Sequence, residues 1–522
     1  MPVRSLCHTA PMGNVSRRDL MRWSLLGAGS IPAGALLAAC AKATGQTAPT
    51  TSAAAPATTA PPSTTAAPST TLPPATTTPF DPSLPWWLQA NFAPVMDELE
   101  VFDLEVRGAL PPSLRGTYVK NGSNPQRSNS PHWFFGDGMT HGVWLDGGKA
   151  TAYRNKWVAT TPFTQQLEFG QGVPGGDNNQ SNVSALWHAG RLLTSGEVGF
   201  PYELDPATLA TKGLVDFGGT LAGSFTAHPH IDPATGRMHS FGYDFADPFL
   251  RYHIIEPDGT MSHIEGVNIP RSTMIHDFAI TETDAVFWDL PVIFDLELAV
   301  QFLTDPTIVP FRWAPEVGAR LGVMPLAGGA DSIQWFDVDP CYVFHHVNAF
   351  RRGDEVVVDV CWQESMFGGN EFATPSVRRW TANTATGAFS EDILDVPAGD
   401  LPTRDPRRMG REHRFGYLIG TRDDPETVNL GGLVKVDYQT GTAETWDPGP
   451  TRHGSEFLFV PGDEGDTADD AGWLLAFVHD DATAETTLAV LDATDVTAGP
   501  VAEVVMPRRV PYGFHATWIP TQ

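Results

Sequence analysis

Met274-Ile275-His276-Asp277-Phe278-Ala279-Ile280-Thr281 sets a histidine inside a run of apolar and aromatic residues. The alternation predicts a half-buried strand that carries the imidazole inward on rigid structure. That placement suits a metal ligand. The same setting recurs at three distant points: TAHPHIDP around His228, FHHVNAF around His345 and YGFHATWIP around His515. The successive separations are 48, 69 and 170 residues, too wide for one helix or one knuckle. If the four histidines meet, four separate strands must end at one point. A propeller brings them there because the innermost strand of each blade faces a common axis. Taken singly, each histidine reads as a core or turn residue; the repetition argues for a shared site.

Working outward, short apolar runs alternate with turn signals from Phe80 to Gln522, and helical periodicity is scarce. One turn type recurs: Asp232-Pro233-Ala234-Thr235-Gly236, Asn383-Thr384-Ala385-Thr386-Gly387 and Asp437-Tyr438-Gln439-Thr440-Gly441, with shorter forms at Asp205–Thr208 and Asp492–Asp495. Hairpins repeated over this length predict an antiparallel, all-β chain, with a propeller ahead of a double sandwich. Gly136 and Gly138 around Asp137 predict a tight turn that uses glycine's backbone freedom. His132 and His141 flank that turn without the apolar setting of the other four, and are read as structural. Between the second and third histidines, Val292, Leu296, Ala299, Val300 and Leu303 fall on one helical face of the segment 291–303. This predicts a helix packed on the propeller, or an apolar lip that touches membrane or hydrophobic substrate.

The 33 basic and 61 acidic residues give a net charge of −28, which opposes nucleic acid and anionic lipid. With 41% hydrophobic residues, including 29 Phe and 15 Trp, the chain has enough apolar surface for a large core and an aromatic-lined pocket. The first 40 residues contain Ser16-Arg17-Arg18-Asp19-Leu20-Met21, an apolar stretch to Ala39 and Leu37-Ala38-Ala39-Cys40. This pattern predicts twin-arginine export and lipidation at Cys40, placing the protein in the cell envelope on the outer side of the cytoplasmic membrane. Residues 41–79 are almost wholly Thr, Ala, Pro and Ser and predict a disordered tether, leaving 80–522 as the folded domain. In that domain Cys341 and Cys361 flank a hairpin, Tyr342 to Phe350 and Glu355 to Trp362. With Arg352-Gly353 at its tip, Cys361 falls opposite Phe344 and Cys341 opposite Glu364, so two free buried thiols are predicted. No phosphate-cradling loop, nucleophile elbow or HExxH motif is present.

In order, KNGSNP, FGDGMTHG, YRNKW, TAHPHIDP, MIHDFAIT, FHHVNAF and PYGFHA resemble the carotenoid cleavage oxygenase family over residues 81–522. The resemblance implies a seven-bladed β-propeller, capped on one face by loops and short helices over an axial iron site. It implies one Fe(2+) per chain, held by His228, His276, His345 and His515, which are thereby the catalytic residues. It also separates close pairs: the ligand is the histidine before Pro229, not His230, and the one after Phe344, not His346. The family's three supporting glutamates fall on Glu197, Asp400 and Glu456, behind His276, His345 and His515 respectively, while His228 has none. Asp400 is one methylene short, so either its strand shifts toward His345 or a water bridges the gap. Lys120, Ser123 and Phe350-Arg351 also depart from the family pattern without removing a ligand.

Four neutral imidazoles leave coordination positions free and suit iron(II) with dioxygen beside an apolar substrate. The family reaction is oxidative cleavage of a conjugated carbon–carbon double bond, in a carotenoid, apocarotenoid or related polyene or stilbene, to aldehydes or ketones. The expected partners are thus a hydrophobic small molecule and O2, with no nucleic acid. The protein is expected to be a monomer, with membrane contact through Cys40 and the 291–303 segment. The competing reading is an exported propeller lipoprotein that binds a hydrophobic ligand without turnover.

Overall fold

The recurrent turns close hairpins as their residues dictate. Gly236, Gly387 and Gly441 have φ of 70°, 75° and 69°, in the left-handed region, and each donates its N–H to the carbonyl four residues back at 2.8 Å. The first residue of each turn also accepts a backbone N–H on its side-chain oxygen: Ala234 on Asp232, Ala385 on Asn383 and Gln439 on Asp437. In the shorter Asp205 form the glycine position is taken by Leu209, held at φ 61° with its side chain fully buried.

The computed structural model describes residue 81 and residues 83–521, except 128–129, 168–176, 178, 303–304, 306–307, 368–373, 422–429 and 464. The export signal with Arg17, Arg18 and Cys40, the 41–79 tether and Leu303 lie outside the described residues. Seven antiparallel blades follow one another, and their first strands are, from blade 2 to blade 6, Ser184–His188, His230–Ile231, Ala279–Ile280, Tyr342–Arg352 and Gly399–Thr403. Blade 7 starts with Arg452–His453 and Leu458–Pro461, both paired with Gly472–Asp480. Blade 1 is closed by the C-terminal strand Ala516–Pro520 against Gly116–Ser123. A second closure adds Val106–Gly108 to Pro500–Val505 at the edge of blade 7. Both ends of the ring are thus tied by strand pairing, which leaves the blades no freedom to splay at the axis.

Four local expectations need correction. The segment 273–281 is buried throughout instead of alternating, and His276 precedes the strand Ala279–Ile280 rather than lying in it. In the predicted helical segment, Val292 belongs to the strand Val292–Phe294, paired with Phe311–Trp313. The helix, described over Leu296–Phe302, begins there because Asp295 Oδ1 caps it by accepting the Glu297 and Leu298 N–H groups. The hairpin turns at Gly353-Asp354, pairing Arg352 with Glu355, and two register shifts between Val343 and Asn348 restore the Val343–Trp362 pairing. Neither Gly136 nor Gly138 has positive φ. A Cβ at Gly136 would lie 2.1 Å from Ser123 Oγ, and one at Gly138 2.2 Å from the Ser181 carbonyl, so close approach excludes a side chain at both. Cys341 and Cys361 are free and buried, as expected.

Candidate metal centre

All seven blades contribute one residue to the centre. His228 precedes the first strand of blade 3, His276 that of blade 4 and His515 that of blade 1; His345 lies in the first strand of blade 5 at its bulge. None of the four sits in an unbroken ladder, so each ring turns toward the axis without disrupting strand pairing. Their ligand atoms lie within 4.8 Å of one another. His228 Nε2 and His276 Nε2 are 2.9 Å apart.

The three remaining blades supply the carboxylates. Glu197 follows the second strand of blade 2 and its Oε2 accepts from His276 Nδ1 at 3.0 Å. Asp400 of blade 6 accepts from His345 Nδ1 at 2.8 Å. Glu456 of blade 7 accepts from His515 Nδ1 at 2.8 Å and, on its other oxygen, from the Ala516 N–H at 2.7 Å. Since a carboxylate only accepts, each of these three Nδ1 atoms carries a proton, which leaves Nε2 as the atom free to ligate. Among the described residues no carboxylate hydrogen-bonds the His228 ring, and the His228 backbone N–H donates to Thr226 Oγ1 at 2.9 Å. The Asp400 contact is direct: the strand bulges between Asp400 and Thr403, and Leu401 is held at φ 48°. The direct bond leaves no place for a bridging water.

Burial, with the nearby His515, holds His228 well below the ordinary imidazole range, and burial also lowers His515 against the pull of Glu456. Both are therefore neutral donors. At His345 burial again opposes charge, but Asp400, with Asp277 and Glu456, outweighs it and raises the pKa. Glu456 is held ionised: burial would raise it, and His515 and Lys120 overcome that. The set fits a resident divalent cation. His228 Nε2 and His276 Nε2 stand 2.9 Å apart, close enough to ligate one cation together, and buried His345 Nε2 has no hydrogen-bond partner among the described residues. The three anions behind the rings offset the cost of burying that charge.

Aromatic rings surround the site: Phe344 lies 5.2 Å from His276, and Phe134 packs against both Phe344 and Phe514. His132 caps the turn Trp133–Phe135 through Nδ1, and His141 bonds Tyr153, so both are structural. Two groups escaped the sequence reading. Tyr243 donates to the second oxygen of Glu197 at 2.7 Å, and the Cys361 thiol is kept protonated by its burial and by the nearby Asp400 carboxylate. Neither has a local signature, because each meets its partner only through the packing of neighbouring blades.

A seven-bladed propeller with four axial imidazoles, three of them backed by carboxylates, is a propeller protein built to hold a metal on its axis. The family described as retinal pigment epithelial membrane protein matches residues 92–520. A carotenoid cleavage oxygenase of Mycobacterium tuberculosis is 36% identical, over 83% of this chain and 97% of that protein. An Arabidopsis thaliana carotenoid 9,10(9',10')-cleavage dioxygenase is 35% identical, over 84% and 91% respectively. The crystal structure of a Pseudomonas brassicacearum lignostilbene dioxygenase superposes with a TM-score of 0.75 at 29% identity, covering 83% of this chain and 98% of that one. The chain belongs to the carotenoid cleavage oxygenase family, and it is an oxygenase.

Proposed function

We propose that this protein is an exported non-haem iron(II) dioxygenase that cleaves a conjugated carbon–carbon double bond of a carotenoid, apocarotenoid or related polyene or stilbene. The observation that carries the reading is the convergence of four imidazoles, three of them fixed by carboxylates, inside an aromatic wall. His228, His276, His345 and His515 would hold one Fe(2+), which supplies dioxygen binding and oxidation when present. Glu197, Asp400 and Glu456 fix the ring tautomers and orientations. The three are engaged in hydrogen bonds to those rings, which leaves the proton on each Nδ1 and suits a reaction that needs no general acid or base. Phe344, Phe134 and Phe514 exclude water and offer flat apolar surface to a planar, extended substrate.

The relatives include proteins named for carotenoid cleavage, a lignostilbene dioxygenase and an isoeugenol monooxygenase of Pseudomonas nitroreducens, so the shared substrate feature is a conjugated olefin. Anaerobic iron loading, metal analysis and incubation with a carotenoid, an apocarotenal and a hydroxystilbene under isotopically heavy dioxygen test the proposal. About one iron per chain and labelled aldehyde or ketone products support it; failure to retain iron, or to cleave any of the three, overturns it. Export through Arg17-Arg18 and anchoring at Cys40 belong to the same proposal. Leu296 and Val300, 39% and 56% exposed on one helical face, supply an apolar contact for the nearby membrane. Cys40→Ser is expected to release a monomeric protein from the membrane fraction; a variant that stays bound removes the anchor from the proposal.

A further inference from the structure

The axial histidines do not exhaust the imidazoles at the centre. His230, Asp277 and His346 form a second buried group with donor atoms within 4.8 Å of one another. Asp277 Oδ1 accepts from His230 Nε2 at 3.0 Å and from the Phe278 N–H at 2.8 Å. Its Oδ2 accepts from His346 Nδ1 at 2.6 Å and from the His346 N–H at 3.2 Å. His230 Nε2 also lies 2.7 Å from the Phe278 carbonyl oxygen. A carbonyl and a carboxylate both accept, so this nitrogen carries a proton and has no lone pair for a metal. The group is therefore a closed set of hydrogen bonds around one anion, not a second cation site. His346 Nε2 has no hydrogen-bond partner among the described residues and takes no part in it.

The placement of this anion gives it a task. His230 is two residues beyond His228, across Pro229; Asp277 directly follows His276; His346 directly follows His345. One carboxylate thus joins the axial segments of blades 3, 4 and 5. Pro229 fixes its own φ, so that His230 and His228 move as one lever. On blade 5 the ladder is interrupted on both sides of the His346–Val360 pair, and the His346 N–H at this interruption goes to Asp277. We propose that Asp277 is a positioning residue: through His230 and His346 it sets the spacing of His228, His276 and His345 before the metal arrives. Glu197, Asp400 and Glu456 each orient one ring, whereas Asp277 spaces three backbones. His515, on blade 1, stands outside this clamp and relies on Glu456.

The proposal rests on the four axial histidines being the metal ligands, and the test separates the two. The full-length protein, solubilised in detergent and stripped of metal, is titrated with cobalt(II), followed by its visible absorption, and metal per chain is counted. Asn at 277 offers one acceptor and one N–H2, which must meet one of the N–H donors. Asp277→Asn is therefore expected to lower cobalt affinity roughly 10- to 100-fold. It should also change the shape of the visible band at saturation, which a loss of fold stability alone does not do. His230→Phe and His346→Phe each remove one arm and are expected to lose about 3- to 10-fold, within the range of single supporting contacts. Parent-like affinity and band shape in Asp277→Asn overturn the clamp; if that variant does not fold, parent-like behaviour in both phenylalanine variants does so. A second equivalent of cobalt in the parent that disappears in these variants also overturns it, in favour of a metal site. A parent that binds no cobalt overturns the four-histidine reading itself, and the clamp with it.

Discussion

His345 and His346 are neighbours in the chain, both are buried, and each donates Nδ1–H to an aspartate, yet they serve different centres. Asp400 stands behind His345 and leaves its Nε2 facing the other three axial rings. Asp277 stands beside His346 and draws that ring into a group that also holds His230 Nε2. The difference lies in where the acceptor sits, not in residue type or burial. At the axial site acceptors stand behind three of the four rings, so the Nε2 atoms are left to converge on a point that suits a cation. At the neighbouring site the anion is in the middle, and the N–H groups converge on it instead.

The sharpest way to break this comparison is to remove a converging lone pair. His228→Ala, His276→Ala, His345→Ala and His515→Ala each delete one of four donors, and each is expected to abolish metal retention through gel filtration, measured by elemental analysis. His132→Ala removes only a turn cap and should retain metal. Full retention in any of the four axial variants removes that residue from the ligand set. A smaller effect is expected behind the rings. Asp400→Ala and Glu456→Gln should weaken cobalt binding roughly 10- to 100-fold, because the ring loses its fixed tautomer; unchanged affinity in either would mean that ring needs no carboxylate. Smaller again is Tyr243→Phe, which frees one oxygen of Glu197 but leaves the other on His276. A loss of about fivefold corresponds to one net hydrogen bond of about 1 kcal/mol. No change would show that Glu197 is held without the phenol.

The axial site was legible in the sequence because its chemistry is local: a histidine in an apolar setting, four times over, with family motifs around each. Its supports were legible only through the resemblance, since Glu197, Asp400 and Glu456 reach their histidines from other blades. Asp277 stood in plain view inside MIHDFAIT, and a buried carboxylate in an apolar run should itself have signalled a partner. The repeated turns were readable because an Asx side chain and a left-handed glycine act within five residues. Bulges were not readable: the register shifts around His346 and the kink at Leu401 follow from what the side chains must reach, which periodicity does not encode. The blade count was obscured by the insertion between Asp289 and Ala319, and by blades 1 and 7 borrowing strands from opposite ends of the chain.

The smallest effect on metal binding, and the finest test of the comparison, is Asp400→Glu. Restoring the missing methylene keeps the carboxylate, so cobalt affinity should change by less than about fivefold, below the losses for Asp400→Ala and Tyr243→Phe. The added volume has to go somewhere. Asp400 already reaches His345 Nδ1 at 2.8 Å through a bulged strand with Leu401 at φ 48°, and the buried Cys361 thiol lies near enough to feel its charge. A longer side chain therefore pushes on Cys361 or forces the backbone back, and overpacking of this kind costs about 1–3 kcal/mol. That cost should appear in the denaturant midpoint of the metal-free protein. Cys361→Ala opens the space next to position 400, so in the double variant the two changes should be strongly non-additive, with much of the lost stability recovered. A double variant less stable than Asp400→Glu alone would show that the thiol does not occupy the room left by the shorter acid, and that the bulge at Leu401 has another cause.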